Sequence, residues 1–284
     1  MKYCCHYDHM HLTEQDAYDN NITFPEAYTE HHMISAYAIA RKEKIRAVFC
    51  TLPGDHLLEA EAMGADIIYD APVMTVRSAE PVFDFPFDAC RLAKIDLQHG
   101  RVREILCSCN DLTNAGENVL LETTGPMTIL DALTDITKVF RFLKKDPSSI
   151  IQIFNVIGKH TLEFIKAAQE QGVRFFSFAD PLCSASILGP QTCKAVINMF
   201  TADFLKEISK NLHDDSMLLI CPEIISSLTE VGKIQIIRHT VPVPDRYDRL
   251  CIDMASKVTI CGQMCVKKAA ETHDINCFNE IVFK

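Results

Sequence analysis

The sequence predicts an α/β fold of the (β/α)8 TIM-type barrel class, with a helical cap at its N-terminus. Short apolar runs alternate with helical segments along 284 residues, a length that can bury one large core. The runs at 173–180 and 216–221 end in residues with reactive side chains, Asp180 and Cys221, and a proline follows each of them. The glycine-rich loops that bind phosphates in open doubly wound sheets are missing from the sequence.

The strand-end placement of Asp180 and Cys221 is typical of barrel enzymes. Their active sites are built from the loops that follow the carboxyl ends of the strands. Since the two residues end consecutive strand–helix units, we expect their side chains to lie side by side at the carboxyl mouth of the sheet. Alternation of strands and helices also fits an open doubly wound sheet, and the missing phosphate-binding loop favours the barrel over that alternative.

The individual elements follow from apolar spacing, from glycines that stop helices and from prolines that start them. Strands are predicted at 46–52, 65–69, 119–124, 173–179, 216–220, 233–241, 257–261 and 279–283. Helices are predicted at 55–63, 126–133, 148–171 and 190–212, the third of them broken in two at Gly158. The polar, histidine-rich residues 1–45 form the predicted cap, and residues 1–284 are expected to form a single barrel domain.

Composition narrows the possible partners and the compartment. A formal net charge of -10 argues against a polyanionic partner such as nucleic acid. No apolar run approaches the roughly 18 residues of a membrane span, and the N-terminus lacks the apolar core of a signal peptide, so no membrane association is expected. The cysteines are 13 in number and scattered, which argues against a disulfide framework and favours the cytoplasm.

Several segments resemble the uroporphyrinogen decarboxylase superfamily and, within it, the corrinoid-dependent methyltransferase branch. They are AEAMGADIIYD from Ala60, ETTGPMTILDAL from Glu122, the stretch from Asp146 to Pro190, and LLICP from Leu218. Their order and spacing extend the resemblance over about residues 46–265. The resemblance implies a TIM-type barrel, in agreement with the fold predicted from the strand and helix pattern.

The same resemblance implies a function. In that branch, a zinc ion held by a His-x-Cys pair and a later cysteine binds the acceptor thiol as a thiolate, which attacks a methyl group on a corrinoid. A metal ion can deprotonate a thiol at neutral pH, and the corrinoid supplies the difficult chemistry. The implied cofactors are zinc and a corrinoid presented by a partner protein. The implied reaction is methyl transfer between methylcobalamin and a small thiol or a similar acceptor.

The residues that the resemblance assigns to the metal are cysteines. Cys221 corresponds to the cysteine of the His-x-Cys pair, but Leu219 stands where the histidine is expected. Cys261 and Cys265 are both candidates for the later cysteine. A further ligand is sought among Asp180, His9 and His11. Asp180 is also the candidate catalytic residue, although an aspartate at this position can instead cap the following turn.

Two other functions stay open. Porphyrinogen decarboxylation belongs to the same superfamily, but it needs an arginine-rich N-terminus to bind substrate carboxylates, and the first arginine here is Arg41. A non-catalytic corrinoid-binding or regulatory protein on the same barrel is consistent with Leu219 in place of the ligand histidine. Glu122, on the strand before Gly125, either points into the barrel or anchors a backbone amide.

Overall fold

The computed structural model describes residues 12–52, 55–70, 74–84, 88, 92, 95–271 and 273–284. The α-helices are α1 (Glu14–Asp19), α2 (Glu26–Thr29), α3 (His31–Ile45), α4 (Leu58–Ala62), α5 (Gly100–Asn114), α6 (Pro126–Leu133), α7 (Ile136–Lys145), α8 (Pro147–Glu170), α9 (Ala185–Leu188), α10 (Pro190–Val196), α11 (Ala202–Asn211), α12 (Pro222–Glu230) and α13 (Tyr247–Met254). A π-helical turn at Ile197–Thr201 joins α10 to α11, and 3₁₀ helices lie at Pro181–Cys183 and Val266–Glu271.

The strands are β1 (Phe49–Thr51), β2 (Ile67–Asp70), β3 (Thr75–Ser78), β4 (Asn118–Thr124), β5 (Phe175–Ala179), β6 (Met217–Ile220), β7 (Ile234–Asp245), β8 (Ile260–Cys261) and β9 (Ile275–Phe283). The described part of the main sheet has the order β1-β4-β5-β6-β8-β9-β7. Strands β1, β4, β5, β6 and β8 are parallel, while β9 runs antiparallel to both β8 and β7. The carboxyl ends of the parallel strands therefore lie at one edge of the sheet.

The α/β class predicted from the sequence is confirmed, but two of the predicted strands depart from a regular βα repeat. The strand predicted at 65–69 is β2, which pairs with β3 in a separate antiparallel hairpin. The chain between β2 and β3 is too short for the crossover that parallel strands need. The strand predicted at 279–283 is β9, which returns antiparallel to β8 because the described residues of their connection form a 3₁₀ helix and no α-helix.

Both faces of the main sheet are buried, as the continuous apolar runs of its strands indicate. One face packs against the surrounding helices through side chains such as Leu121, Phe176 and Ile220. The alternate side chains of the same strands form a second cluster with α13, in which the rings of Tyr247 and Phe278 stack at 5.8 Å between centroids. The period of two along each strand thus separates the two clusters.

The predicted break at Gly158 is wrong, because α8 runs unbroken from Pro147 to Glu170. The glycine serves close packing: a Cβ atom at this position would lie 3.1 Å from the ring of Phe204 and 3.2 Å from that of Phe200. The missing side chain lets α8 and the helix that carries these phenylalanines approach each other. No described helix, α8 included, has the length and apolar character needed to cross a membrane.

The predicted N-terminal helical cap is confirmed in its described residues. Helices α1, α2 and α3 form an apolar cluster of their own around Tyr28 and Tyr37. Partly buried side chains of the β2–β3 hairpin, Tyr69 and Val76, pack against this cluster. The hairpin therefore belongs to the cap side of the molecule and extends it beyond the 45 residues assigned from the sequence.

A buried ion-pair network anchors the segment between β1 and α4. Arg101 of α5 pairs with Asp55, and its Nε atom lies 2.7 Å from Oε2 of Glu61. Asp55 also accepts a hydrogen bond of 2.8 Å from the backbone N–H of Leu57. His56 between them adopts a positive φ of 57°. This left-handed conformation is unfavourable for a side-chain-bearing residue, and the network on either side holds it in place.

We predict that Arg101→Leu lowers the free energy of unfolding by about 3–5 kcal/mol, because it leaves the buried carboxylate of Asp55 without its counter-charge. The matched control is Arg103→Leu, two residues along the same helix, where the arginine side chain is 54% exposed and pairs with Glu104. The control is expected to cost less than about 1 kcal/mol. Urea denaturation of both variants measures the difference, and equal losses would contradict the anchoring role.

Candidate functional site

A pocket opens at the carboxyl edge of the parallel sheet, with a central cavity of about 40 Å³. Its described wall comes from the ends of β4, β5 and β6, from the segment after β8, and from His56. The residues are His56, Glu122, Thr123, Ser177, Phe178, Ala179, Leu219, Ile220, Cys221, Pro222, Met264, Cys265, Val266 and Lys267. This is the edge where the strand-end rule predicts an active site.

A buried ion pair crosses the mouth of the sheet. Oε2 of Glu122, at the end of β4, lies 2.9 Å from Nζ of Lys267, in the 3₁₀ helix after β8. Burial alone raises the pKa of the Glu122 carboxyl, but the charge of Lys267, helped by His56, outweighs burial and holds that pKa below its usual value. Glu122 is therefore an ionised carboxylate inside a largely apolar wall. It points into the pocket, and this decides between the two orientations that the sequence left open.

The second oxygen of Glu122 has unused hydrogen-bonding capacity. Among the described residues, Oε1 is buried and accepts no hydrogen bond. An ionised carboxylate has about four acceptor sites, and buried polar atoms are in general hydrogen-bonded. The pocket thus presents an unfilled acceptor to whatever enters it.

His56 contributes an uncharged imidazole to the pocket wall. Its Nδ1 atom lies 3.3 Å from Oγ1 of Thr124, and the whole residue is buried. Burial lowers the pKa of its imidazole to about 4, so His56 is uncharged at neutral pH. Behind it, Oε1 of the fully buried Glu59 accepts a hydrogen bond of 2.8 Å from the backbone N–H of Thr124, and burial raises the pKa of Glu59 to about 7.

Asp180 follows β5, but its carboxylate contacts α6, the helix after the neighbouring strand β4, and does not line the pocket. Its carboxylate accepts hydrogen bonds from the backbone N–H of Met127 (3.2 Å), from the N–H of Thr128 (3.0 Å) and from Oγ1 of Thr128 (2.8 Å). It therefore caps the N-terminus of α6, where a negative charge is favourable. Burial nevertheless raises the pKa of Asp180 to about 6, against the lowering effect of these hydrogen bonds.

Gly125 makes the capping contact possible. A Cβ atom on this residue would overlap the Asp180 side chain, so only glycine leaves room for the carboxylate. Asp180 and Cys221 follow the adjacent parallel strands β5 and β6, as expected from the sequence. Only Cys221 of the two lies among the described lining residues of the pocket.

The three candidate metal-binding cysteines are separated. Cys221 and Cys265 both line the pocket and are partly exposed. Cys261 is fully buried in the cluster around α13, where its Sγ atom lies 3.2 Å from the hydroxyl of Tyr247 and 3.4 Å from Sδ of Met217. Of the two candidates for the later cysteine, the structure therefore brings Cys265, and not Cys261, to the same pocket as Cys221.

The described donor set does not fit a catalytic zinc ion. Such an ion needs about three protein ligands and one open position. No group of three or more histidine, cysteine, aspartate or glutamate side chains in the described part of the chain is arranged to hold a metal. Leu219 takes the pocket position expected for the histidine, and Asp180 is engaged at α6. His9 and His11 lie outside the described residues.

The comparison with known proteins agrees with this architecture. The family Uroporphyrinogen decarboxylase (URO-D) matches residues 9–265. The chain belongs to this family. The URO-D fold is a TIM barrel, so the predicted barrel-type fold is confirmed at the level of the family.

The URO-D relatives of this chain include methyltransferases. A methylated-thiol--coenzyme M methyltransferase of Methanosarcina mazei is 22% identical over 217 residues, covering 75% of this chain and 56% of the relative. A methylcobamide:CoM methyltransferase MtaA of Methanosarcina barkeri is 21% identical over 212 residues, covering 74% of this chain and 61% of the relative. The chain thus spans about three-fifths of the length of these relatives.

Among solved structures, a methyltransferase from Methanosarcina mazei has a TM-score of 0.65 and 19% sequence identity to this URO-D chain. The match covers 77% of this chain and 65% of the other one. At this identity the similarity establishes the shared fold.

Two site residues escaped the sequence analysis. Lys267 is one of two adjacent lysines after Cys265, and nothing local marks it as a partner of Glu122, which lies far away in the sequence. His56 follows the end of β1 and adopts a left-handed conformation that no glycine announces. The strand-end rule, applied to β1 and β8 as it was to β5 and β6, would have pointed to both segments.

We predict that His56 makes stability pH-dependent. Its pKa is about 4 in the folded protein, against about 6.5 in the unfolded chain, so only the unfolded chain gains a proton between these values. Stability is therefore lost as the pH falls from about 6.5 towards 4, and about 2 kcal/mol of that loss is present at pH 5. His56→Asn, which tolerates a positive φ, is expected to lack this component.

Urea denaturation at pH 7.5 and pH 5 measures the effect, with His99→Asn as the control because the His99 side chain is 81% exposed. The free-energy difference between wild type and His56→Asn should shrink at pH 5, while that between wild type and His99→Asn should not. Parallel losses in all three proteins would contradict a buried neutral imidazole.

We also predict that Leu219→His creates a zinc site. Leu219, Cys221 and Cys265 all line the same pocket. A histidine at position 219 supplies a third ligand and should raise the affinity for zinc by about 100-fold or more. Competition with a chromophoric chelator measures it, with Leu219→Gln as the control. Equal zinc uptake by both variants would mean that Cys221 and Cys265 do not share an ion.

Proposed function

We propose that this chain is a methyltransferase that transfers a methyl group between a corrinoid carried by a partner protein and a small thiol bound in the pocket. The observation that carries the proposal is a pocket at the carboxyl edge of a URO-D sheet that combines an apolar wall with a buried charge pair, Glu122 and Lys267. The names of the relatives support the reaction type.

The size of the pocket assigns the two reactants to different places. The cavity at the centre of the pocket is about 40 Å³, which is room for a group of only a few atoms. A corrinoid macrocycle is much larger than such a pocket, so a methyl donor of that class must approach from outside, presented by another protein. The pocket itself then holds the acceptor. The corrinoid, when bound by its partner, supplies the transferable methyl group.

The residues of the pocket suit a thiol acceptor. The thiolate is the nucleophilic form, and a nearby positive charge favours it over the thiol. Lys267 supplies such a charge, and Glu122 fixes the position of that ammonium group through their ion pair. Phe178, Leu219 and Met264 in the wall exclude water from the reacting sulfur, which strengthens these electrostatic interactions. No step of the proposal runs through zinc, since the described donors do not fit that ion.

Asp180 enters the proposal as a positioning residue. Its carboxylate fixes the first turn of α6, directly after the end of the strand that carries Glu122. It thereby orders one side of the mouth without lining the pocket. We further propose a cytoplasmic enzyme without a nucleic-acid partner, since a net charge of -10 disfavours binding to a polyanion.

Porphyrinogen decarboxylation is less well supported. A substrate with several carboxylates needs several cations around it. Among the described lining residues, Lys267 is the only lysine or arginine, and one ammonium group cannot pair with several carboxylates. Arg41 and Arg101 are buried and do not line the pocket, and Arg101 is held by carboxylates of its own.

We predict that the purified protein demethylates methylcobalamin, free or protein-bound, in the presence of small thiols, followed by the absorbance change of the corrinoid. Ala179→Phe fills the pocket from the end of β5 and should lower the rate about 100-fold, because small displacements of bound reactants are costly. The control is Ala115→Phe, which is exposed after α5 and precedes β4, at the opposite edge of the sheet. It is expected to keep the wild-type rate.

The assay also separates the alternatives. Tight corrinoid binding without demethylation would instead support the alternative function, that of a non-catalytic corrinoid-binding or regulatory protein. Absence of both binding and demethylation, with free methylcobalamin and with a methylated corrinoid protein, would overturn the proposed function.

A further inference from the structure

One carboxylate oxygen of Glu122, Oε1, is buried without a hydrogen-bond donor among the described residues. The carboxylate lines the pocket with 8% of its side chain exposed, and Oε1 accepts no hydrogen bond from the described residues. Leaving a buried ionised acceptor unfilled costs free energy, so a ligand that donates a hydrogen bond at this point gains an interaction which the empty protein lacks.

The charge of the pocket adds a second constraint. Its described lining contains one carboxylate, Glu122, and one ammonium group, Lys267, which neutralise each other. His56, the other titratable nitrogen base of the wall, is uncharged. An acceptor with a second anionic group would meet the Glu122 carboxylate with no further cation in the described lining to offset the repulsion. A cationic group that carries N–H donors can instead donate a hydrogen bond to Oε1 of Glu122.

We propose that the acceptor is an aminothiol, whose ammonium group donates a hydrogen bond to Oε1 of Glu122 while its carbon stem and sulfur lie against the apolar wall. The thioether of Met264 and the side chains of Leu219 and Val266 provide that wall. This inference rests on the proposed function, because it names the class of thiol that the same pocket takes. It makes Glu122 the residue that determines acceptor specificity.

The test is a ligand series of constant length, HS–CH₂–CH₂–X. Cysteamine carries an ammonium group at X, 2-mercaptoethanol a hydroxyl group, and 2-mercaptoethanesulfonate a sulfonate. Isothermal titration calorimetry on the full chain at pH 7 measures the three dissociation constants without any corrinoid. We expect cysteamine to bind roughly tenfold more tightly than 2-mercaptoethanol, and the sulfonate to bind most weakly.

Two variants assign the preference to the ion pair. Glu122→Gln keeps the shape but removes the charge, and it should reduce the advantage of cysteamine about tenfold or more. Lys267→Gln leaves Glu122 without its counter-charge and should increase that advantage. Glu207→Gln, a half-exposed glutamate of α11, is the control for the loss of one negative charge and should leave the order unchanged. Circular dichroism confirms that each variant is folded, and the wild-type series alone decides the order if one is not.

The outcomes separate this inference from the proposed function. Tightest binding of the sulfonate, lost in Lys267→Gln, would overturn the aminothiol and assign specificity to Lys267, while leaving methyl transfer intact. A preference for cysteamine without any demethylation of methylcobalamin would support the acceptor class and overturn the transfer reaction. Binding of none of the three thiols would overturn the inference.

Discussion

The ion pair between Glu122 and Lys267 is the interaction on which the site depends. It connects the end of β4 to the segment after β8, and two strands, β5 and β6, lie between them in the sheet. It therefore closes a bridge over the strand ends that form the floor of the pocket. Each of the two charges can be buried because the other is present. If either side of the mouth moved away, the remaining charge would be buried without a counter-charge, which is costly.

A second buried ion-pair network, around Arg101, holds another part of the pocket wall. The carboxylates of Asp55 and Glu61 hold Arg101, and the segment fixed in this way carries His56 to the pocket. The pocket thus has charged groups only where a partner is built in, and an uncharged imidazole where none is. Such an environment distinguishes ligands by small differences in charge and hydrogen bonding, since an apolar wall screens charges less than water does.

The parts of the fold that depend on local sequence could be predicted, and those that depend on distant contacts could not. Helix α6 begins and ends where Pro126 and the following apolar spacing predict, and the strand-end rule located Asp180 and Cys221 on adjacent strands. The unbroken course of α8 through Gly158 depends on aromatic rings from another helix. The pairing of Lys267 with Glu122 depends on the order of the strands in the sheet, which no local pattern encodes.

The contact between Gly125 and Asp180 has an evolutionary consequence. The carboxylate occupies the volume in which any side chain at position 125 would lie, and it accepts hydrogen bonds from the first-turn amides of the helix that begins one residue later. A larger residue at the first position expels the acid, and loss of the acid leaves both a cavity and unpaired amides beside the glycine. We therefore expect neither position to change alone during evolution, because a change at one requires repacking of the turn between β4 and α6.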